Sequence, residues 1–291
     1  MWGFLQQSID GLSAGAVYAT IALALVLIYR STGLVNFAQG EMAMFSCYLY
    51  ISFSAAGAPL WIACCGAMLL SFIGGLVIER ALFRRFGANQ HLELIVVMLG
   101  LFVGFNALAG LIWSFEVRKV PNLFPDGILR AGKVVIGLPL LGTLASIGAS
   151  TLCLYLLFRF TKLGLAMRGA VSNPQSAQLL GFRVGHLLGI GWGLAAALGC
   201  LAGVLVTPRL FLDPNVMQGV IVYAIAAATV GGLDSPVGAI VAGLAIGVME
   251  NLAGTYLVGS ELRIVVPLIL IVGFLLFRPS GLFGSAAENR V

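Results

Sequence analysis

Apolar stretches recur from one end of this chain to the other, separated by short connections that carry most of its Arg, Lys and Pro. Several are as long as the roughly 20 residues an α-helix needs to cross a hydrocarbon core of about 30 Å. The pattern divides into about nine segments. They run Ile9 to Tyr29, Phe37 to Ala56, Leu60 to Ile78, Leu94 to Trp113, Leu138 to Phe158, His186 to Val206, Val216 to Val230, Val237 to Tyr256 and Ile264 to Phe277. Val216 to Val230 is too short to span comfortably and reads as a half-helix or re-entrant element, so eight spans are an alternative to nine. The expectation is an all-α, polytopic transmembrane helical bundle of about 8–9 segments, with residues 1–291 forming a single membrane domain.

Composition points the same way. Hydrophobic residues make up 60% of the chain and charged residues 9%, against roughly 25% charged in soluble domains. Mean hydropathy is +1.05. The net charge of +5 does not suggest nucleic acid, because Lys and Arg lie in the connections, where they set orientation. Alternate connections hold Arg30, Arg80, Arg84, Arg85, Arg159, Lys162, Arg168, Arg183, Arg278 and Arg290 on one side. The other side holds Arg118, Lys119, Arg130, Lys133, Arg209 and Arg263, the first four of them in one long connection, which counts least. The N-terminus is therefore expected outside and the C-terminus in the cytoplasm, and the connection from Phe158 to His186 is cytoplasmic. The opening MWGFLQQSIDG has neither a basic stretch nor a cleavage site after its apolar run, so that run is expected to stay as a membrane helix.

Gly is frequent, 38 of 291, and much of it lies inside the apolar segments. Small residues let helices approach closely in lipid, and Gly199/Gly203 and Gly243/Gly247 are both GxxxG pairs that read as helix packing. Cys47, Cys64, Cys65, Cys153 and Cys200 lie in apolar stretches without metal-ligand spacing and read as small packing residues. His91 and His186 sit near segment ends, where interfacial placement explains them.

Three polar constellations interrupt the apolar pattern. The first, Ser31 to Glu41 (STGLVNFAQGE), places Asn36, Gln39, Gly40 and Glu41 close to membrane depth. Polar irregular backbone there must be buried in protein or line a wet cavity, unless the segment is simply a solvated connection that caps the next helix. The second, Val230 to Gly238 (VGGLDSPVG), breaks the chain at Gly231 and Gly232, and Asp234 or Ser235 can cap a helix that starts at Pro236. Each break precedes a helix rich in small residues, a faint internal pseudo-repeat of the kind that marks a transport pathway. The third lies within the cytoplasmic segment of about 159–185. Asn173 suits an N-cap, Pro174 the first helical position and Gly181 the residue past the end. Ala177, Leu179 and Leu180 are apolar beside Gln175, Ser176 and Gln178, so this short helix either lies at the lipid interface or docks on a soluble partner.

The segments GLSAGAVYATIALALVLIYRSTGLVNFAQGEM, GLAMRGAVSNPQSAQLLGF and ATVGGLDSPVGAIVAGLAIGVMEN resemble the permease subunits of branched-chain amino acid ABC importers, in order and over nearly the whole chain. Related permeases of that superfamily carry urea or short amides. The resemblance implies a bacterial inner-membrane assembly of this subunit with a second homologous permease subunit, two cytoplasmic ATPase subunits that hold the ATP, and an extracytoplasmic substrate-binding protein. It implies that Asn173 to Gly181, with Arg168 ahead of it, is a coupling helix seated on the ATPase. Asp234 in the GGLDSPVG turn and Pro174 in the coupling segment depart from the family pattern. Translocation-path candidates are then Asn36, Gln39, Gly40, Glu41, Gly231, Gly232 and Ser235, with Arg168, Asn173, Pro174, Ala177, Leu180 and Gly181 facing the ATPase.

An enzyme would need a nucleophile, a metal site or a cofactor cradle. There is no GxxxxGK[ST] phosphate loop, and no connection is long enough for a nucleotide-binding domain. No catalytic residue, metal or resident cofactor is expected. The nearer alternative is a secondary transporter driven by an ion gradient, which would place charged groups at the midplane. Glu41 and Glu250 are its acidic candidates, and both lie nearer a segment end than its middle, where snorkelling would explain them.

Overall fold

The computed structural model describes the chain apart from residues 1, 86–90, 132–133, 258, 260–261, 279 and 285–291. Lys133 and Arg290, two of the charges that set orientation, fall outside it. Helices α1 (Trp2–Thr32), α2 (Gln39–Ala55), α3 (Leu60–Ala81) and α4 (His91–Trp113) are followed by a hairpin of β1 (Ile128–Ala131) and β2 (Val134–Gly137). Then come α5 (Leu138–Phe160), α6 (Lys162–Ser172), α7 (Pro174–Leu179), α8 (Val184–Leu210), α9 (Val216–Gly231), α10 (Pro236–Tyr256) and α11 (Val265–Phe277). Every predicted apolar segment is a helix. Among the described residues six helices are long and apolar enough to cross a membrane, and α9 and α11 are shorter apolar helices. The fold is an all-α polytopic bundle. With 16 residues, α9 rises about 24 Å, short of a full hydrocarbon core.

Two features escaped the apolar pattern. The long connection after α4 contains the antiparallel hairpin, with Ile128 opposite Gly137 and Ala131 opposite Val134. The segment of about 159–185 holds two helices rather than one. Thr161 starts α6, its Oγ1 accepting the Gly164 N–H at 3.0 Å, which satisfies one of the free donors at a helix start.

The described chain falls into two compact units. The first comprises residues 1–26, 122–151 and 219–291, the second residues 27–121 and 152–218. In the first, Ala16 and Ala19 pack with Leu140 and Ile147, and Ile9, Leu144, Ile240 and Leu244 close over them. Here α1 and α10 meet backbone to backbone: a Cβ on Gly15 would lie 2.7 Å from the Cα of Leu244, and one on Gly247 would strike the Gly15 backbone. Gly243 and Gly247 thus serve the close helix approach expected of a GxxxG pair in lipid.

In the second unit α8 is the mostly buried helix and α4 the mostly exposed one. The pair Gly199/Gly203 lies against α2, where a Cβ on Gly203 would come 2.9 Å from the Ala43 carbonyl. Gly75 and Gly193 do the same for α3 against α8. The outward surface of α4 is apolar, with Leu111 82% exposed, a surface suited to lipid rather than water.

Candidate functional site

The first break lies in the second unit and is held by side chains. Helix α1 stops where Gly33 takes φ +75°, a left-handed turn that favours glycine. Asn36 then organises the next turn. Its Oδ1 accepts the Ala38 N–H at 3.0 Å and its Nδ2 donates to Gln39 Oε1 at 3.3 Å. Gln39 Nε2 donates in turn to the Ala195 carbonyl on α8 at 3.0 Å. Asn36 and Gln39 are both fully buried. Their polar groups are committed to the protein itself, which is how irregular backbone survives away from water.

Glu41, in the first turn of α2, is built differently. It is 1% exposed, so it does not snorkel as its place near a segment end led one to expect. Its position in the first turn places it against α4 and the connection between α8 and α9. Glu41 Oε2 accepts a long hydrogen bond of 3.5 Å from Asn106 Nδ2. That same amide nitrogen donates to the Pro214 carbonyl at 2.7 Å and to Asn215 Oδ1 at 3.0 Å. Gln218 Nε2 also donates to Asn215 Oδ1, at 3.0 Å. Glu41 Oε1 is buried with no hydrogen-bond partner. Two turns further along the same face of α2, Tyr48 stacks on Trp113 with ring centroids 4.9 Å apart, and its hydroxyl is likewise buried without a partner.

Alongside this polar face is a small cavity of about 90 Å³, lined by residues that include Met42, Phe45, Ser46, Ser71 and Phe105. Pockets for small molecules run from roughly 300 Å³ upward, so this one is too small for an amino acid. Ser71 Oγ and Ser46 Oγ share a 2.7 Å hydrogen bond at its wall.

The second break lies in the first unit and is built from backbone. Gly232 takes φ +106°, and a Cβ there would come 2.6 Å from the Gly284 nitrogen. Gly231 and Gly238 press against each other so closely that a Cβ on either would collide with the other's backbone. The segment after α11 closes the arrangement: the Leu282 N–H donates to the Val230 carbonyl at 2.8 Å and the Phe283 N–H to the Gly231 carbonyl at 3.1 Å. Of the two expected caps Ser235 is the one used, its Oγ accepting the Gly238 N–H at 3.1 Å, with Pro236 in the first helical turn.

Glu250 of α10 is 6% exposed and accepts a 3.0 Å hydrogen bond from the Tyr18 hydroxyl, and Tyr18 stacks on Tyr223 at 4.5 Å. It too is buried rather than snorkelled, because Tyr18 satisfies it inside the unit.

At the corner formed by α6 and α7, Asn173 Oδ1 accepts the Ser176 N–H at 2.9 Å, Pro174 is in the first turn of α7, and Gly181 takes φ +85°. Ala177 turns inward at 4% exposed, while Leu179 and Leu180 stand out at 90% and 77%. Arg168 on α6 is exposed. The outer surface of this corner is therefore carried by Leu179 and Leu180, not by Ala177.

Sequence reading missed Asn106, Asn215, Gln218, Tyr18 and Tyr48. A signal was present for Asn106, a single amide in the apolar run LFVGFNALAG, since a polar side chain within a spanning helix usually faces the bundle interior. Asn215 lies in a connection and Gln218 in the first turn of the short helix α9, and neither gave such a signal.

Residues 8–275 match the protein family described as "Branched-chain amino acid transport system / permease component". The high-affinity branched-chain amino acid transport system permease protein LivH of Salmonella typhimurium is 27% identical to this chain, covering 99% of it and 98% of the relative. The probable branched-chain amino acid transport permease protein LivH of Methanocaldococcus jannaschii is 29% identical, covering 91% of this chain and 87% of that one. Among solved structures, PsaBC from Streptococcus pneumoniae in complex with Fab aligns at a TM-score of 0.47 and 14% identity, covering 95% and 92% of the two chains.

Proposed function

This chain belongs to the family of permease components of branched-chain amino acid transport systems, and from that membership we propose that it is the translocating subunit of an ATP-driven importer for branched-chain or other small amino acids. It works in a bacterial inner membrane, N-terminus outside and C-terminus cytoplasmic, beside a second homologous permease subunit. Two cytoplasmic ATPase subunits hold the ATP, and an extracytoplasmic binding protein delivers the substrate. The chain itself performs no chemistry and holds no cofactor. Residues 1–291 serve as one permease domain, with Asn36, Gln39, Gly40 and Glu41 in one unit and Gly231, Gly232 and Ser235 in the other as its path-forming breaks.

The observation that carries the coupling role is the cytoplasmic corner. A helix of six residues is capped at its start by Asn173 and ended at Gly181, yet leaves Leu179 and Leu180 exposed. Exposed apolar residues on a rigid, polar-flanked corner are what a partner surface requires. Movement of the ATPase on nucleotide binding then displaces this corner, and the adjoining helices alternate between inward and outward opening. Arg168, exposed on the preceding helix, adds a charge contact at the rim.

Purification of the complex from native membrane with wild type and Leu180→Arg tests this. Two ATPases and a second permease are expected with wild type, and Leu180→Arg is expected to lose the ATPases while keeping the permease. Wild type purifying alone in gentle detergent would overturn the reading. It would favour ion-gradient-driven transport, for which the buried carboxylates Glu41 and Glu250 are the specific support. Permeases of the same superfamily that carry urea or short amides are distinguished by uptake of those solutes in place of leucine.

A further inference from the structure

We propose that Glu41 is the contact for the ammonium group of the transported amino acid, an inference that rests on the amino-acid permease function proposed for this chain. A carboxylate taken out of water is costly unless it is paired and hydrogen-bonded. Glu41 is 1% exposed, yet its partners among the described residues are neutral amides, Asn106 at 3.5 Å and Gln218, and its Oε1 has none. The ionisable neighbour that acts on it is Asp213, of like charge. Among the described residues the groups that act on the carboxylate are two amides and a like charge, so a positive visitor is what the arrangement lacks.

The surroundings are otherwise suited to a zwitterion. Asn106, Asn215 and Gln218 form a chain of amides beside the carboxylate, able to donate to and accept from a polar headgroup without fixing it by charge. Among the described residues three buried side-chain polar atoms lack a partner, and two of them, Glu41 Oε1 and Tyr48 Oη, belong to α2. Spaced seven residues apart, they share one helix face. That face packs through Tyr48 on Trp113 and still leaves two polar atoms unmet. It is a surface that meets its partner only while something polar passes. A weak, incompletely satisfied station also fits conduction, because a site that bound too well would not release.

Two measurements on the purified, reconstituted importer test this. In leucine uptake, Glu41→Gln keeps shape and hydrogen-bonding capacity but removes the charge. It is expected to lower uptake at least tenfold in a complex that still assembles. Glu41→Asp is expected to retain more uptake than Glu41→Gln. In the second measurement, dicyclohexylcarbodiimide labelling of Glu41 is read by peptide mass spectrometry. Leucine and leucinol, which both carry the ammonium, are expected to protect the residue, whereas 2-hydroxy-4-methylpentanoate, which lacks it, is not.

Uptake by Glu41→Gln within twofold of wild type would overturn the proposal, as would equal protection by the hydroxy acid. Protection by sodium alone would assign the site to a coupling ion and overturn it as well. Failure of Glu41→Gln to assemble would mark Glu41 as a structural acid, and the proposal would fall with it. If the wild-type complex shows no ATP-driven uptake, the importer reading fails, and the labelling result still decides the ammonium contact.

Discussion

The two Gly-containing breaks look alike in the sequence and are constructed by opposite means. At Ser31 to Glu41 the turn is fixed by side chains: Asn36 satisfies the buried Ala38 N–H and Gln39 ties the turn to α8, and the space around Gly33 is open. At Val230 to Gly238 the turn is fixed by backbone packed on backbone, Gly231 on Gly238 and Gly232 on Gly281 and Gly284, with the chain after α11 hydrogen-bonded across it. Glycine means conformational freedom in the first case and absence of a side chain in the second. A polar network can rearrange its hydrogen bonds in small steps, whereas glycines in van der Waals contact either fit or do not. The first break is therefore the better candidate for a segment that adjusts as substrate passes, and the second for a fixed joint.

The largest effect should come from adding a side chain to the fixed joint. Gly238→Val would drive its Cβ into the Gly231 carbonyl and toward Phe283, and overpacking of this kind costs about 1–3 kcal/mol or more. Because the obstacle is backbone, little relief is available, and folded protein recovered from membranes is expected to fall severely. Recovery of Gly238→Val at wild-type yield and melting temperature would show that the joint is not rigid and erase the contrast.

Next in size is Asn36→Ala. It strips the acceptor from the buried Ala38 N–H and the donor from Gln39 Oε1. A buried polar group left unmet costs about 1–3 kcal/mol, so a lowered melting temperature is expected in a protein that still folds. If Gln39 re-pairs with the freed groups, the drop will be small and the network view of this break is sharpened rather than lost.

Much of this is legible in the sequence, and the reasons differ by element. The spanning helices are readable because a hydrocarbon solvent demands long apolar runs, and Leu60, Leu138, Val216 and Phe277 are helix ends in both the pattern and the structure. The caps at Asn173 and Ser235 are readable because they are local chemistry. Burial of Glu41 and Glu250 was not readable, since position near a segment end does not say which way a helix face turns. The partners that decide it, Asn106 for one and Tyr18 for the other, are 65 and 232 residues away. The inward turn of Ala177 was missed for the same reason: six residues of helix carry too little periodicity to define a face. The β hairpin escaped because a membrane reading looks for long apolar runs, and its strands are four residues each.

Ser235→Ala comes third. It removes the hydroxyl that accepts the Gly238 N–H, and loss of such a cap costs about 1 kcal/mol. The backbone contacts of the joint remain, so the expected outcome is a modest fall in melting temperature with uptake retained. An effect as large as that of Gly238→Val would mean that the cap, not the glycine contact, holds the second break.

The smallest expected effect is that of Gly33→Asn, which read against Gly33→Ala isolates conformational freedom from crowding. The Gly33 φ of +75° is a region other residues enter at a cost of about 1–2 kcal/mol, but a Cβ there meets nothing within 4 Å. Gly33→Ala should therefore carry only the backbone cost. Gly33→Asn should cost less, because Asn tolerates the left-handed region and can hydrogen-bond locally. Thermal unfolding of the three proteins should rank Gly, Asn, Ala in falling order over a narrow range. If Asn and Ala are equally damaging, a neighbour has closed on this turn, and the first break would then be constrained by packing as the second is.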